Sequence, residues 1–225
     1  MNSTIQKITA IAALTFAAGC SAENSLLPMT VSHDPILFVH GYARTSADWN
    51  TMIAQFKAAG WTDLEVYTIN YGALQSNASI ADDIKAKVDN ILATRSTTKV
   101  DIVTHSMGSL STRYYIRNLG GDGRVDAWVS LGGANHGTTT ANDCGFPPCI
   151  ELRPGSSFLA SLNSGDETPG TVRYATWWSP ADQAILPNNS VILSGATNTQ
   201  TAPIPHQNLL TDPTVYNQVR AFIAP

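Results

Sequence analysis

A short apolar run that breaks at a polar pentapeptide and resumes with helical spacing constrains this chain more than any other stretch. Lys99-Val-Asp-Ile-Val-Thr104 is rich in β-branched residues and reads as a buried strand. Beyond Thr104-His105-Ser106-Met107-Gly108, residues Leu110, Tyr114 and Arg117, with Ser111, Tyr115 and Leu119, keep helical spacing up to Gly120-Gly121. A strand that turns sharply into a helix lifts a serine at the junction clear of the sheet, the arrangement known as a nucleophile elbow. Small residues flank such a serine because strand and helix backbones approach closely there. Gly108 meets that need, whereas Thr104 stands where glycine is usual. Ser106 is therefore the candidate nucleophile, and the competing reading is a serine that merely caps the helix.

Pro35-Ile-Leu-Phe-Val-His40-Gly41-Tyr42 is a second apolar strand, ending in His-Gly and preceding the elbow. Acyl transfer at a serine needs two hydrogen-bond donors aimed at the developing oxyanion. They are the backbone N–H after the nucleophile and one from the loop after an earlier strand, which assigns Met107 and Tyr42.

The base and the acid should follow the serine in the order acid, then histidine. His33 and His40 precede it, and His105 is fixed inside the elbow. His136, in Gly132-Gly-Ala-Asn-His136-Gly, is expected at the edge of the site. His206 follows an expected strand over 190–195 and precedes the last helix, so it is favoured over His136 as the base. For the acid, Asp182 comes just after the strand Val172-Arg-Tyr-Ala-Thr-Trp-Trp178. Asp143, Asp166 and Glu167 lie in a loop-rich segment, and Asp212-Pro213 has the pattern of a helix cap. Asp182 is the choice, holding the imidazole in its working tautomer.

The elements alternate as in a parallel α/β sheet. Strands are expected near 35–39, 64–69, 99–104, 125–131, 171–177 and 190–195, with helices at 46–59, at 79–94 opening on Ser79-x-x-Asp82, and near the C-terminus. Segment 132–170 carries Pro147-Pro148, Pro154-Gly155 and Pro169-Gly170, and so long an irregular stretch points to a binding loop or partial lid. Trp177 and Trp178 are candidates for the pocket or for the core.

With these residues in place the chain resembles the small bacterial triacylglycerol lipases of the α/β-hydrolase superfamily, the class 2 or Bacillus lipase A type and its actinobacterial relatives. The resemblance rests on Ile36-Leu-Phe-Val-His-Gly-Tyr42, Asp101-Ile-Val-Thr-His-Ser-Met-Gly108, Tyr114-Tyr-Ile-Arg-Asn-Leu119 and Leu131-Gly-Gly-Ala-Asn135. Leu152-Arg-Pro-Gly-Ser156, Trp178-Ser-Pro-Ala-Asp182 and His206-Gln-Asn-Leu-Leu210 extend it. It implies an α/β-hydrolase fold with a minimal, mostly parallel six-stranded sheet and helices on both faces. It also implies a Ser106–Asp182–His206 triad, oxyanion amides at Tyr42 and Met107, and ester hydrolysis on acylglycerols without a metal or organic cofactor. Short-chain carboxylesterase and polyester hydrolase share this machinery, as do acyltransferases and thioesterases. A non-catalytic surface lipoprotein is the reading from another class.

At 225 residues one catalytic domain over 33–225 is expected. Net charge is −4 and no basic cluster occurs, which argues against nucleic acid and leaves a lipid or small ester as partner of a monomer. Lys7 leads into the apolar run Ile8–Gly19, a signal peptide over residues 1–19 too short to span a membrane. Ala17-Ala18-Gly19-Cys20 resembles a lipoprotein signal. Lipidation of Cys20, with residues 20–32 as anchor and tether, is favoured over ordinary cleavage near Ala22. Both place the enzyme outside the cytoplasm, as an outer-membrane or cell-surface lipoprotein or as a secreted protein. Cys144 and Cys149 are spaced for a small disulfide, which is favoured over a metal site completed by His136.

Overall fold

Side-chain alternation along β1 (Ile36–Val39) divides the interior into two cores. Ile36 and Phe38 enter one, Leu37 and Val39 the other, the period of two that a strand buried on both faces imposes. A computed structural model describes residues 33–224; the expected signal peptide, Cys20 and the tether to Ser32 lie outside them. The first core also takes Phe56 and Met52 of α1 (Asn50–Ala58) and Val215 and Val219 of α6 (Pro213–Ile223). The second takes Ile80, Ile84, Val88 and Ile91 of α2 (Asn77–Arg95) and Leu110 and Ile116 of α3 (Gly108–Asn118).

The sheet is six-stranded, in the order β2-β1-β3-β4-β5-β6, and every neighbouring pair is parallel. Besides β1 it contains β2 (Val66–Ile69), β3 (Val100–His105), β4 (Val125–Leu131), β5 (Arg173–Trp178) and β6 (Thr197–Gln200). The chain leaves β1 toward β2 on one side and returns to β3 on the other, which opens a crevice at the carboxyl ends of β1 and β3. Val39 pairs with Thr104 and His105 with Leu131, so the ends of β1, β3 and β4 reach that crevice together.

Two expectations about the elements need correction. Residues 190–195 form no strand: a 3-10 turn spans Asn188–Val191, and Val191 and Leu193 plug the second core from the loop. The sixth strand is instead the polar, largely exposed Thr197–Gln200, whose Asn198 carboxamide folds the preceding turn by donating to the Leu193 carbonyl and accepting from the Leu193 amide. A polar edge strand of this kind discourages pairing with another chain. Helix α2 starts two residues earlier than the spacing suggested. Its cap is Ser76, whose hydroxyl accepts from the Ser79 amide, so Ser79 lies inside the first turn. Asp212 does cap α6, accepting from Thr214 and Val215.

The segment 132–170 is less irregular than expected. It holds a 3-10 turn at Thr139–Ala141, helix α4 (Pro147–Leu152) and helix α5 (Ser157–Leu162). Cys144 and Cys149 are joined in a disulfide. Glu151 fastens α4 to the start of α2 by accepting from the Asn77 backbone and side-chain amides at 2.7 and 2.8 Å.

Candidate active site

Ser106 follows β3 directly and has φ +55°, a backbone conformation that costs a non-glycine residue energy and persists only when its surroundings enforce it. Its amide donates to the Leu131 carbonyl at 3.0 Å, and its carbonyl accepts from Ser109 at 3.1 Å as α3 begins. Gly108 shows why the turn tolerates no larger residue there. A Cβ would lie 2.5 Å from the His40 carbonyl oxygen and 2.7 Å from Thr104 Oγ1. Thr104 is accommodated in place of the usual glycine because Gly108 leaves it room.

His206, in a 3-10 turn over His206–Leu210, presents Nδ1 to Asp182 Oδ2 at 2.6 Å. Both side chains are buried. The other carboxylate oxygen of Asp182 accepts from the Ala184 and Ile185 amides at 2.8 and 3.0 Å, so three donors converge on this one group. The imidazole is packed between two constraints. His105 lies against it at 4.4 Å between ring centroids and points Nε2 at the His206 carbonyl oxygen, 3.4 Å away. A Cβ on Gly132, itself at φ +55°, would come 3.0 Å from the Cε1 and Nδ1 atoms of the ring. Burial, reinforced by the nearby His206, holds the His105 imidazole well below its usual pKa, so it stays neutral.

Ser106 and His206 line one cavity of about 250 Å³, together with Gly41 and Tyr42 from the loop after β1. The rest of the wall comes from Thr138, Ala141, Leu152 and the Cys144–Cys149 disulfide, with Ala184 and Ile185. That wall is tied down where Thr138 donates to the Ala184 carbonyl and accepts from the Leu186 amide. Arg44 also reaches the cavity, with its guanidinium forked onto Asp48 at 2.7 and 2.8 Å. Among the described residues the backbone amides of Tyr42 and Met107 donate to no protein acceptor. Met107 caps α3, so its N–H sits at the positive end of the helix dipole.

Other expected positions fall elsewhere. His136 does not line the cavity: its Nε2 faces Glu167 Oε1 at 2.6 Å and its Nδ1 faces the Ser190 carbonyl at 3.2 Å. It fastens a loop. Trp177 is a core residue that donates to Gln218, and Trp178 packs against the second core, so neither faces the cavity. Asp166 and Glu167 are spent on loop contacts with Thr168, Ser194 and His136. Tyr71, which no local pattern marks, reaches the carbonyls of the loop after β1 from beyond β2.

Residues 33–221 match the profile of the family Lipase (class 2). The chain belongs to this family. Solved structures of other lipases have the same fold. The mature lipase BlEst2 of Bacillus licheniformis superposes with a TM-score of 0.74 at 18% identity, over 87% of this chain and 96% of that one. Lipase B of Aspergillus fumigatus gives 0.70 at 17% identity, over 82% of this chain and half of the fungal protein. A monoacylglycerol lipase of Paleococcus ferrophilus gives 0.61 at 13%, over 85% and 94%. The architecture is thus the α/β-hydrolase fold, and membership of the class 2 lipases makes the protein a carboxylic ester hydrolase.

Proposed function

We propose that this class 2 lipase hydrolyses acylglycerol-type esters through a Ser106–His206–Asp182 triad. The observation that carries the reading is a strained serine sharing one cavity with a histidine whose far nitrogen is held by a buried carboxylate. Asp182 fixes the proton of His206 on Nδ1 and leaves Nε2 as the acceptor. His206 takes the Ser106 proton as the hydroxyl oxygen attacks the ester carbonyl, and the resulting oxyanion rests on the Tyr42 and Met107 amides. His206 then returns the proton to the departing alcohol. Water, activated by the same imidazole, releases the acid and restores the serine. These steps require only one chain, and we read the enzyme as a monomer.

The cavity's size favours a second reading on substrate length. At about 250 Å³ it lies below the usual range of roughly 300–1,000 Å³ for small-molecule sites. This suits short-chain esters better than long acyl chains. Rates on p-nitrophenyl esters from acetate to palmitate, alongside tributyrin and long-chain triglyceride emulsions, separate the two. Activity peaking at short chains with none on emulsions makes the enzyme a carboxylesterase. For the triad itself, an organophosphonate probe is expected to label Ser106, and Ser106→Ala to lose at least several orders of magnitude in kcat. Wild-type turnover in Ser106→Ala would refute it.

We further propose export followed by lipidation at Cys20, read from the sequence Ala17-Ala18-Gly19-Cys20. Stable anchoring takes more than one acyl chain, which a diacylglyceryl cysteine provides. Globomycin should then cause precursor to accumulate. A mature N-terminus at Glu23 in the culture fluid points instead to an ordinary secreted enzyme.

A further inference from the structure

The Tyr42 amide is useful as an oxyanion donor only if its peptide plane is held, and a peptide fixes its own N–H once its C=O is fixed. Carbonyl and N–H point in opposite directions across a planar trans peptide, and the Gly41–Tyr42 bond is trans. The Gly41 carbonyl oxygen accepts from His40 Nδ1 at 2.8 Å, and the Tyr71 hydroxyl lies 3.5 Å from the same oxygen. Tyr71 donates in addition to the His40 carbonyl oxygen. That oxygen abuts the start of α3, only 2.5 Å from where a Gly108 side chain would begin. Two consecutive carbonyls of the loop are therefore drawn to the Tyr71 side. The Gly41 backbone meanwhile lies against the nucleophile, since a Cβ there would be 2.9 Å from Ser106 Cβ.

The two side chains that hold these carbonyls also hold each other. Their rings stack at 4.0 Å between centroids with an interplanar angle of 19°. His40 is buried, and burial lowers its pKa, so the imidazole is neutral and its proton belongs on the nitrogen that faces the Gly41 carbonyl. Burial pushes the Tyr71 phenol up, which leaves it a donor at any working pH.

We infer that Tyr71 and His40 are positioning residues for transition-state stabilisation, a stacked pair that turns the Gly41–Tyr42 peptide so that its N–H faces the cavity beside Ser106. This rests on the proposed Ser106 chemistry but adds a function for two side chains that touch no reacting atom. Removing an oxyanion donor outright costs on the order of 10²–10³ in kcat. Loosening one should cost less, about tenfold, and should spare ground-state binding, where no oxyanion exists.

The test uses Tyr71→Phe, which keeps the stack and removes the hydroxyl, and the pair His40→Asn and His40→Leu. Asparagine places an amide donor near the position of Nδ1; leucine places none. Each variant is titrated with an organophosphonate so that kcat is counted per reactive serine, and its affinity for an alkyl boronic acid is measured. The boronic acid adds the serine oxygen to boron and so presents a tetrahedral anion to the same amides. The expected result for Tyr71→Phe is a kcat about tenfold lower, KM within about twofold, and boronate affinity weakened by the same factor as kcat. His40→Leu should behave likewise, and His40→Asn should recover most of the loss. Unchanged kcat and boronate affinity per reactive serine in Tyr71→Phe would overturn the inference. If Tyr71→Phe does not fold, the His40 pair decides: asparagine as impaired as leucine overturns it equally. Ser106→Ala separates this failure from that of the underlying reading. An active Ser106→Ala removes the proposed chemistry altogether, whereas an inactive one beside a fully active Tyr71→Phe removes only the positioning role.

Discussion

His206 Nδ1 lies 2.6 Å from Asp182 Oδ2, while Asp182 Oδ1 is occupied by the amides of Ala184 and Ile185. The carboxylate therefore has one orientation, and through it the imidazole has one tautomer. Asp182→Asn should keep the fold and upset that tautomer, since a carboxamide can offer the ring an N–H where it needs an acceptor. The expected loss is on the order of 10⁴ in kcat, read from p-nitrophenyl ester hydrolysis beside a thermal melt. An Asp182→Asn enzyme with near-wild-type kcat would show that another group orients His206.

His136 provides the contrasting case. It joins Glu167 and the Ser190 carbonyl at a half-exposed position outside the cavity. His136→Ala should leave kcat/KM within about twofold of wild type. A partly exposed polar contact of this kind contributes only ~0.2–1 kcal/mol, so Tm should fall by no more than about 4 °C for a domain of this size. A collapse of activity at unchanged Tm would reassign this residue to the chemistry.

Gly108→Ala tests the elbow without touching a reacting group. The added methyl would meet the His40 carbonyl oxygen at 2.5 Å and Thr104 Oγ1 at 2.7 Å. Thr104 can rotate, but the carbonyl is backbone held by Tyr71. The loop after β1 and the start of α3 must therefore part, at a cost of roughly 1–3 kcal/mol. Because the Met107 amide moves with α3, kcat should fall as well, and Thr104→Ala should not restore it. Full activity in the single variant would show that the elbow has more slack than the contacts indicate.

The strand–turn–helix at Ser106 was legible in the sequence because β3 and α3 write their periods plainly on either side of it, and the expected pairing of Asp182 with His206 has its counterpart in their 2.6 Å contact. What escaped was whatever depends on neighbours distant in the chain. The apolar Val191 and Leu193 read as strand but fill the core from a loop, while polar Thr197–Gln200 pairs with β5 because an edge strand needs little burial. Tyr71 meets His40 only because β2 and β1 are neighbours with Ile69 opposite Val39, a juxtaposition no local pattern announces. The same holds for His136, which follows β4 and is expected at the site edge but is held outside the cavity by Glu167.

The disulfide is expected to affect substrate size more than turnover. Cys144 and Cys149 both line the cavity, and Arg153 holds the Cys144 carbonyl at 2.8 Å, so the short loop between them forms part of a wall. Replacing both cysteines by serine removes a small loop closure worth roughly 2 kcal/mol. The double variant should melt several degrees lower. It should also hydrolyse long-chain esters better relative to acetate, because the wall facing Ser106 can yield. An unchanged chain-length profile would mean that Glu151 and Thr138 hold the wall without the covalent link.

Asp101 is expected to make stability fall as the pH rises above about 3.8. It is buried in β3 and accepts from the Ala127 amide at 3.0 Å, where β4 inserts an extra residue opposite β3. Burial first, then the negative charge of Asp34 and Asp126 nearby, raises its pKa well above 3.8 against the opposing Ala127 amide and Arg173. The folded protein therefore binds a proton that the unfolded chain has lost, throughout the window from about 3.8 up to the raised value. Stability falls with rising pH wherever the native state holds the extra proton. Asp101→Asn keeps an acceptor for the Ala127 amide and removes the titration. Its Tm should match wild type near pH 4 and exceed it at pH 8, by roughly 2–4 °C for each kcal/mol recovered. A difference that is the same at both pH values would show that the Asp101 carboxyl has the same pKa in the folded and the unfolded chain.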